Sequence, residues 1–303
     1  VVLSEAERRA IAKAPTASVE AYDLCLQGRQ YFRQFRRKSI EFARGFYERA
    51  IEVDPGYAGA HAGLAACHSY LCMFWESTEE AMEAADRASR RAVELDGDLA
   101  EAHVARGVAV SLRRNHEEAE REFRAAIRLD PASFEAYYFF ARGFYAQGKK
   151  DHAVYWFRRA CEADPQDYQA PALLGSALRG LGLKAESDEA YRRTVALAQK
   201  HLEVNPGQTR ALYFGAIALC QLGERLDEAL EWAERALRID PEEPQVLYNV
   251  ACVYALTGKP ERAIDCLAKT VVHGDLWRGW MENDSDLEAL HGHPRFEALC
   301  GRG

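Results

Sequence analysis

The stretch "DPASFEAYYFFARGFYAQGKKDHAVYWFRRACEADP", residues 130–165, begins and ends on the same dipeptide and turns once in its middle. Proline lacks the N–H that an ongoing helix needs and pushes the preceding residue out of the α region, while Asp can cap the helix that follows. Asp130-Pro131 and Asp164-Pro165 are therefore boundaries, and "QGKK" (147–150) splits the interval into two helices. The same mark recurs at Asp54-Pro55, Asp96-Gly97, Asn205-Pro206 and Asp240-Pro241, so that successive marks stand 42, 34, 34, 41 and 35 residues apart. Further turns at "GLGLK" (180–184), "LGERLD" (222–227) and "TGKPE" (257–261) divide the later intervals in the same way. A period near 34 residues, each unit a helix pair, predicts an array and not one globular core.

Small residues fall where paired helices must approach. Ala119, Ala153, Ala229 and Ala263 start second helices, Phe123 and Phe157 follow four residues on, and Ala126, Ala160 and Ala236 come three after that. Those offsets share one helical face. The pattern resembles the tetratricopeptide repeat (TPR), with a small residue at its eighth position, Ala at the twentieth, an aromatic at the twenty-fourth, Ala at the twenty-seventh and Pro at the thirty-second. Gly107, Ala119, Phe123, Ala126 and Pro131 hold those positions in the third unit, and Ala141, Ala153, Phe157, Ala160 and Pro165 in the fourth. The resemblance implies an all-α fold, a right-handed α-solenoid of about seven helix-turn-helix units over residues 21–273. Residues 1–20 are then a lead-in helix or linker, and 274–303 a C-terminal helical cap. The second and fifth units exceed 34 residues by eight and seven. In the aromatic run "YYFFARGFY" (137–145), Tyr137, Phe140 and Phe144 are expected to pack on the partner helix and Phe139 on the adjoining unit.

The resemblance also implies where function sits. In TPR proteins the first helices line a concave groove, and the family's groove-facing positions fall on Tyr138, Arg142, Tyr145, Arg179, Arg210, Tyr213 and Tyr248, with Asn249 beside them. Tyrosine offers a flat face with a hydrogen-bonding tip, and arginine a planar fork matched to carboxylates. The expected partner is a protein or peptide of acidic character, and self-association through the ends or the convex face stays open. The terminal-carboxylate clamp of chaperone-binding members is not reproduced, since Cys25, Arg29 and Gly63 stand at its positions. The ends of the chain, with such an array between them, are similar to the C-terminal arm of bacterial multidomain signalling proteins, in which the array follows a cyclase, a kinase or a winged helix. The expected role is a non-enzymatic interaction scaffold in such a regulatory arm, with the effector-sensing arm of a transcription regulator as the alternative.

Composition narrows the remaining classes. The 303 residues are 48% apolar, and 39 basic against 47 acidic side chains give a formal charge of −8. Clustered cations drive nucleic-acid binding through counterion release, so no direct nucleic-acid role is expected. "RQYFRQFRRK" (29–38) carries five basic residues but reads as a solvated helix end and loop. Eight cysteines occur without a CxxC pair, and no secretory leader is visible, so reduced thiols in a cytoplasmic protein are expected. "HGHP" (291–294) supplies too few ligands for a metal, and "ENDSD" (282–286) reads as a turn with an N-cap and not a calcium loop. No nucleophile elbow, P-loop, GxGxxG or HExxH occurs, so no catalytic residue, cofactor or metal is assigned. No run of 18 apolar residues predicts a membrane span. Trp277, Trp280 and Met281 are expected to cover the last helix pair, with a tryptophan docking site as the alternative. The chain opens "VVLSEAERR" without methionine, which predicts a piece of a longer protein.

Overall fold

A computed structural model describes residues 15–75, 77–273, 276–281 and 284–301. The lead-in segment expected over 1–20 lies mostly outside these residues. Fourteen helices form seven consecutive pairs: α1 (Val19–Phe32) with α2 (Arg37–Val53), α3 (Ala58–Phe74) with α4 (Glu79–Leu95), and α5 (Ala100–Leu112) with α6 (His116–Leu129). They continue as α7 (Phe134–Ala146) with α8 (Lys150–Ala163), α9 (Gln169–Arg179) with α10 (Lys184–Val204), α11 (Thr209–Leu222) with α12 (Leu226–Ile239), and α13 (Pro244–Leu256) with α14 (Pro260–Thr270). A tail follows, with a 3₁₀ turn at Val271–His273, α15 (Leu276–Met281), a second 3₁₀ turn at Ser285–Leu290, and α16 (Pro294–Leu299). The chain is an all-α solenoid of helix-turn-helix units. None of the described helices is long and apolar enough to cross a membrane.

Local chemistry sets the boundaries. Ser18, Thr78, Asn115 and Ser133 cap helices by accepting the backbone N–H three residues on, which satisfies a donor that the first turn leaves open. The turns inside the later pairs use Gly148, Gly182, Gly223 and Gly258 at φ of 74°, 77°, 69° and 70°, a left-handed conformation that costs glycine no Cβ clash. The Asp marks between pairs work differently from the expectation. Oδ1 of Asp54, Asp96 and Asp164 accepts the N–H two residues ahead, folding the loop, while other residues cap the next helix. Asp167 does so for α9, accepting from the N–H groups of Gln169 and Ala170 at 2.8 and 2.7 Å. The extra length of the fifth unit sits in its second helix, since α10 runs 21 residues where α8 and α12 have 14.

Two compact units result. The first holds residues up to 72 and 78–131. Its middle is an alanine seam in which Ala62 and Ala65 of α3, Ala88 and Ala92 of α4, and Ala102 and Ala105 of α5 meet. Buried Arg106 crosses that seam, giving Nη1 to Asp86 at 2.5 Å and Nε to Glu118 at 3.0 Å. Burial pushes the Asp86 carboxyl up, yet the hydrogen bond and charge of Arg106 outweigh it and hold the group below its ordinary value.

The second unit holds 73–77 and 132–303. Tyr137, Phe140 and Phe144 pack onto Trp156 and His152 of α8, at ring distances of 6.0, 4.7 and 5.1 Å in the pairs Tyr137–Trp156, Phe140–Trp156 and Phe144–His152. Successive first helices α9, α11 and α13 touch directly. At its end α16 lies on α14, where Arg295 reaches Glu261 and Asp265 at 2.6 and 2.7 Å and His293 reaches Glu261 at 3.1 Å.

One interlock recurs in both units. A Cβ built on Gly107 would stand 2.8 Å from the Phe123 ring, and one on Gly175 would stand 2.7 Å from Tyr191. Phe123 and Tyr191 are each 1% exposed. Replacing Phe123 with Ala leaves a ring-sized hole, and the expected loss is about 3–5 kcal/mol. Gly107→Leu drives a side chain into the same ring and is expected to cost at least about 1–3 kcal/mol. Val204→Ala, 78% exposed, is expected to stay within about 0.5 kcal/mol. Shifts of the guanidinium unfolding midpoint of the three variants measure this ordering.

Candidate functional site

The first helices of the second unit carry the residues that the repeat register aims at a groove. Tyr138 and Arg142 stand one turn apart on α7, and the guanidinium lies 5.6 Å from the Tyr138 ring centre. The same guanidinium sits 5.3 Å from the Trp280 ring and 6.0 Å from Phe74, with Nη2 3.8 Å from the sulfur of Met73. Tyr145, half-buried one turn further on, meets Phe157 edge-on at 6.5 Å. Arg179 of α9 donates Nη2 to Asp188 at 2.7 Å and to the Gln221 carbonyl at 3.1 Å. Tyr248 of α13 is buried, and its hydroxyl donates to Asp284 at 2.7 Å.

Two of these residues touch one segment, the tail from α15 into the second 3₁₀ turn: Arg142 at Trp280, and Tyr248 at Trp277 and Asp284. The tail's carboxylates act on Tyr145, and Arg179 acts on Asp286, through charge alone. Trp277 packs between Phe74 at 5.9 Å and Tyr248 at 5.2 Å, and Met281 is fully buried. Asp284 caps the 3₁₀ turn by accepting the Asp286 N–H at 3.0 Å, so the turn expected over 282–286 is present in its described part. Residues 282 and 283 lie outside the described set. Asp286 accepts from the side-chain amide of Gln221 on α11.

The other three predicted residues are spent on their own and the neighbouring helix, with Tyr213 making the link between α11 and α13. Arg210 Nε donates to the Tyr213 hydroxyl at 3.2 Å, and that hydroxyl donates to Gln245 Oε1 at 3.3 Å, with all three residues buried between α11 and α13. The Asn249 amide donates to the Gln245 carbonyl at 2.7 Å, one turn back on its own helix. Tyr138 is itself 4% exposed, packed on Phe134 and on Phe157 of α8, while Arg142 and Tyr145 are half-buried, so the stripe is covered only in part.

Electrostatics at the tail follow from burial. Asp284 and Asp286 carry like charges into an apolar layer; burial pushes Asp286 up to about 8, and the Asp284 charge adds to the shift. Burial raises Asp284 too, although the Asp286 N–H and the Tyr248 hydroxyl oppose the shift. Burial first, then the two aspartates, push the Cys252 thiol and the Tyr248 phenol upward, and burial likewise takes Cys220 to about 12. Thiols so raised stay protonated and make poor nucleophiles. All eight cysteines are free thiols.

Among the described residues, ligand atoms of Cys252, Asp284 and Asp286 form one group of metal-ligand type, all within 4.8 Å of one another. Tyr248 and Cys252 already donate to Asp284, and Gln221 to Asp286, so protons and an amide hold the pair together as it stands. His291 and His293 of "HGHP" are not part of it; His291 stacks on Phe296 at 5.5 Å and His293 pairs with Glu261.

Sequence reasoning missed two contributors. Phe74 reaches this face from the end of the long α3, whose extra residues carried no pattern of their own. The acids of the tail were read as a turn, and only their spacing of two residues beside a pair of tryptophans signalled more.

Comparison with known proteins agrees with the architecture. The family model described as "Tetratricopeptide repeat" matches residues 113–168 and 173–244. "Putative adenylate cyclase 3" of Rhizobium meliloti (strain 1021) is 33% identical over 101 residues, which are 33% of this chain and 17% of that protein. "Tetratricopeptide repeat protein 36" of Caenorhabditis elegans is 39% identical over 77 residues, covering 23% of this chain and 42% of that protein. The matches thus span less than half the length of either relative. The crystal structure of PilW, a widely conserved type IV pilus biogenesis factor, superposes with a TM-score of 0.51 at 20% identity, over 76% of this chain and 98% of that one, a likeness of fold.

The raised Asp286 gives a signed pH dependence. Between the ordinary aspartate range near 4 and about 8, the folded chain holds a proton that the unfolded chain has lost, so stability from this group falls as pH rises through that window. Asp286→Asn keeps the shape and removes the titration. Its unfolding midpoint is expected to gain on the wild type progressively from pH 5 to pH 8, by more than about 1 kcal/mol at the upper end. Parallel midpoint curves for the two proteins over that range would rule the assignment out.

Proposed function

We propose that this chain, a tetratricopeptide-repeat protein, is a non-enzymatic protein-interaction scaffold that binds an acidic peptide on the first-helix face formed by α7, α9, α11 and α13. The observation that carries this is the meeting of Arg142 with Trp280 and of Tyr248 with Trp277 and Asp284, which sets tryptophans and a carboxylate of the tail against the first helices. A guanidinium flanked by aromatic rings is desolvated on its faces, which strengthens its attraction to an incoming carboxylate or indole. Phenols and thiols held protonated suit hydrogen bonding and give no activated nucleophile. The partial likeness to the Rhizobium meliloti cyclase favours a regulatory arm of a multidomain signalling protein over the arm of a transcription regulator.

An array of synthetic 15-residue peptides varying in acidic and aromatic content tests the face. The purified chain is expected to retain a subset rich in both, and Tyr138→Ala with Arg142→Glu is expected to weaken those peptides at least tenfold while the helical circular dichroism signal persists. Undiminished retention by the folded double variant would place binding elsewhere.

A further inference from the structure

The tail does two separable things. The 3₁₀ turn at Ser285–Leu290 lies along α13 and α16 lies on α14, held by Phe296 and the Arg295 and His293 pairs, and together they cover the last helix pair. The described residues 276–281 and 284–286 do something a cover does not need. They insert Trp277 between Phe74 and Tyr248, set Trp280 across from Arg142, and carry Asp284 and Asp286 to Tyr248, Cys252 and Gln221. All the residues touched lie on the first-helix face or at the end of α3.

The fit is imperfect in a particular way. The Trp277 indole nitrogen is buried with no hydrogen-bond partner among the described residues. Two carboxyl groups two residues apart, Asp286 buried and Asp284 half-buried, are brought together, and Arg179, whose charge acts on Asp286, already serves Asp188 and the Gln221 carbonyl. A buried donor without an acceptor and a like-charge pair both weaken an association. A segment that offered the same indoles, one carboxylate in place of two and an acceptor for the indole N–H would bind this face better than the tail does.

We propose that Trp277, Trp280, Asp284 and Asp286 of the tail form an intramolecular latch, a built-in occupant of the first-helix face that an acidic, tryptophan-bearing segment of a partner protein displaces. Covalent attachment gives the latch a high effective concentration, which sets the threshold that a partner must exceed. The proposal rests on the face being the binding site, and it adds that the site is closed in the free chain.

The probe is a fluorescein-labelled peptide of residues 276–290, titrated into the full chain. Wild type is expected to bind it weakly, because its own copy holds the site. Trp277→Ala, Trp280→Ala and Asp286→Arg combined, with α16 intact, are expected to tighten binding at least tenfold, and a peptide carrying the same three changes is expected to bind neither protein. A folded triple variant that binds the probe no better than wild type overturns the latch. If the variant loses its helical signal, amide hydrogen exchange of wild type decides instead: protection of 276–286 is expected to fall several-fold as unlabelled peptide is added, and unchanged protection overturns it. Concentration-dependent dimers of wild type that exchange this segment would also overturn it, making the segment an arm between copies. Loss of the arrayed peptides in the Tyr138/Arg142 variant together with no gain in the triple variant removes the latch and leaves the binding face.

Discussion

The Phe123 ring lies against Gly107, a residue with no side chain, at a distance that any Cβ would close to 2.8 Å. The same contact joins Tyr191 to Gly175, and Tyr47 and Trp232 stand against Gly28 and Gly215 in equivalent places. Because the second helix offers a large flat ring and the first offers a gap, the two backbones approach closely, and burying each ring contributes roughly 1.5–3 kcal/mol. Each pair then presents its remaining apolar stripe to the next, which is why the array stabilises by neighbours and not by a central core.

That arrangement decides which side chains are available for function. On α7, where Ala141 is the small residue, Arg142 beside it turns onto the first-helix face and meets Trp280, while Tyr138 stays against Phe157 of α8. Whether they meet solvent depends on what else arrives there. In the second unit the arrival is the chain's own tail, which lays tryptophans and carboxyl groups against part of an apolar and cationic face. One buried and one half-buried carboxyl group held by a phenol, a thiol and an amide form a protonation-sensitive joint, and the indole left without an acceptor shows that the joint is not optimised for tightness alone.

The helix pairs were legible because their determinants are local or periodic. Proline after Asp, glycine at a left-handed turn and alanines at spacings of three and four each act through the backbone or through one helical face, so a single sequence displays them. Legibility stopped at contacts without a period. Arg210, Tyr213 and Asn249 occupy groove-facing or adjacent register positions, yet Arg210 and Asn249 bond within their own helices and Tyr213 bonds Gln245 of the neighbouring first helix, which approaches closely enough to bury it. Phe74 and Asp286 belong to insertions and tails, where the repeat makes no statement about direction.

By itself the sequence determined the unit, the number of helix pairs and which face of each helix packs inward, since a 34-residue period and a 3.6-residue turn leave few alternatives for where the rings and small residues go. Only the tertiary structure decided the occupancy of the first-helix face. The placement of Trp277, Asp284 and Asp286 is set by long-range packing of Trp277 on Phe74 and Tyr248 and by hydrogen bonds across 36 and 65 positions of chain, and no local propensity encodes separations of that size.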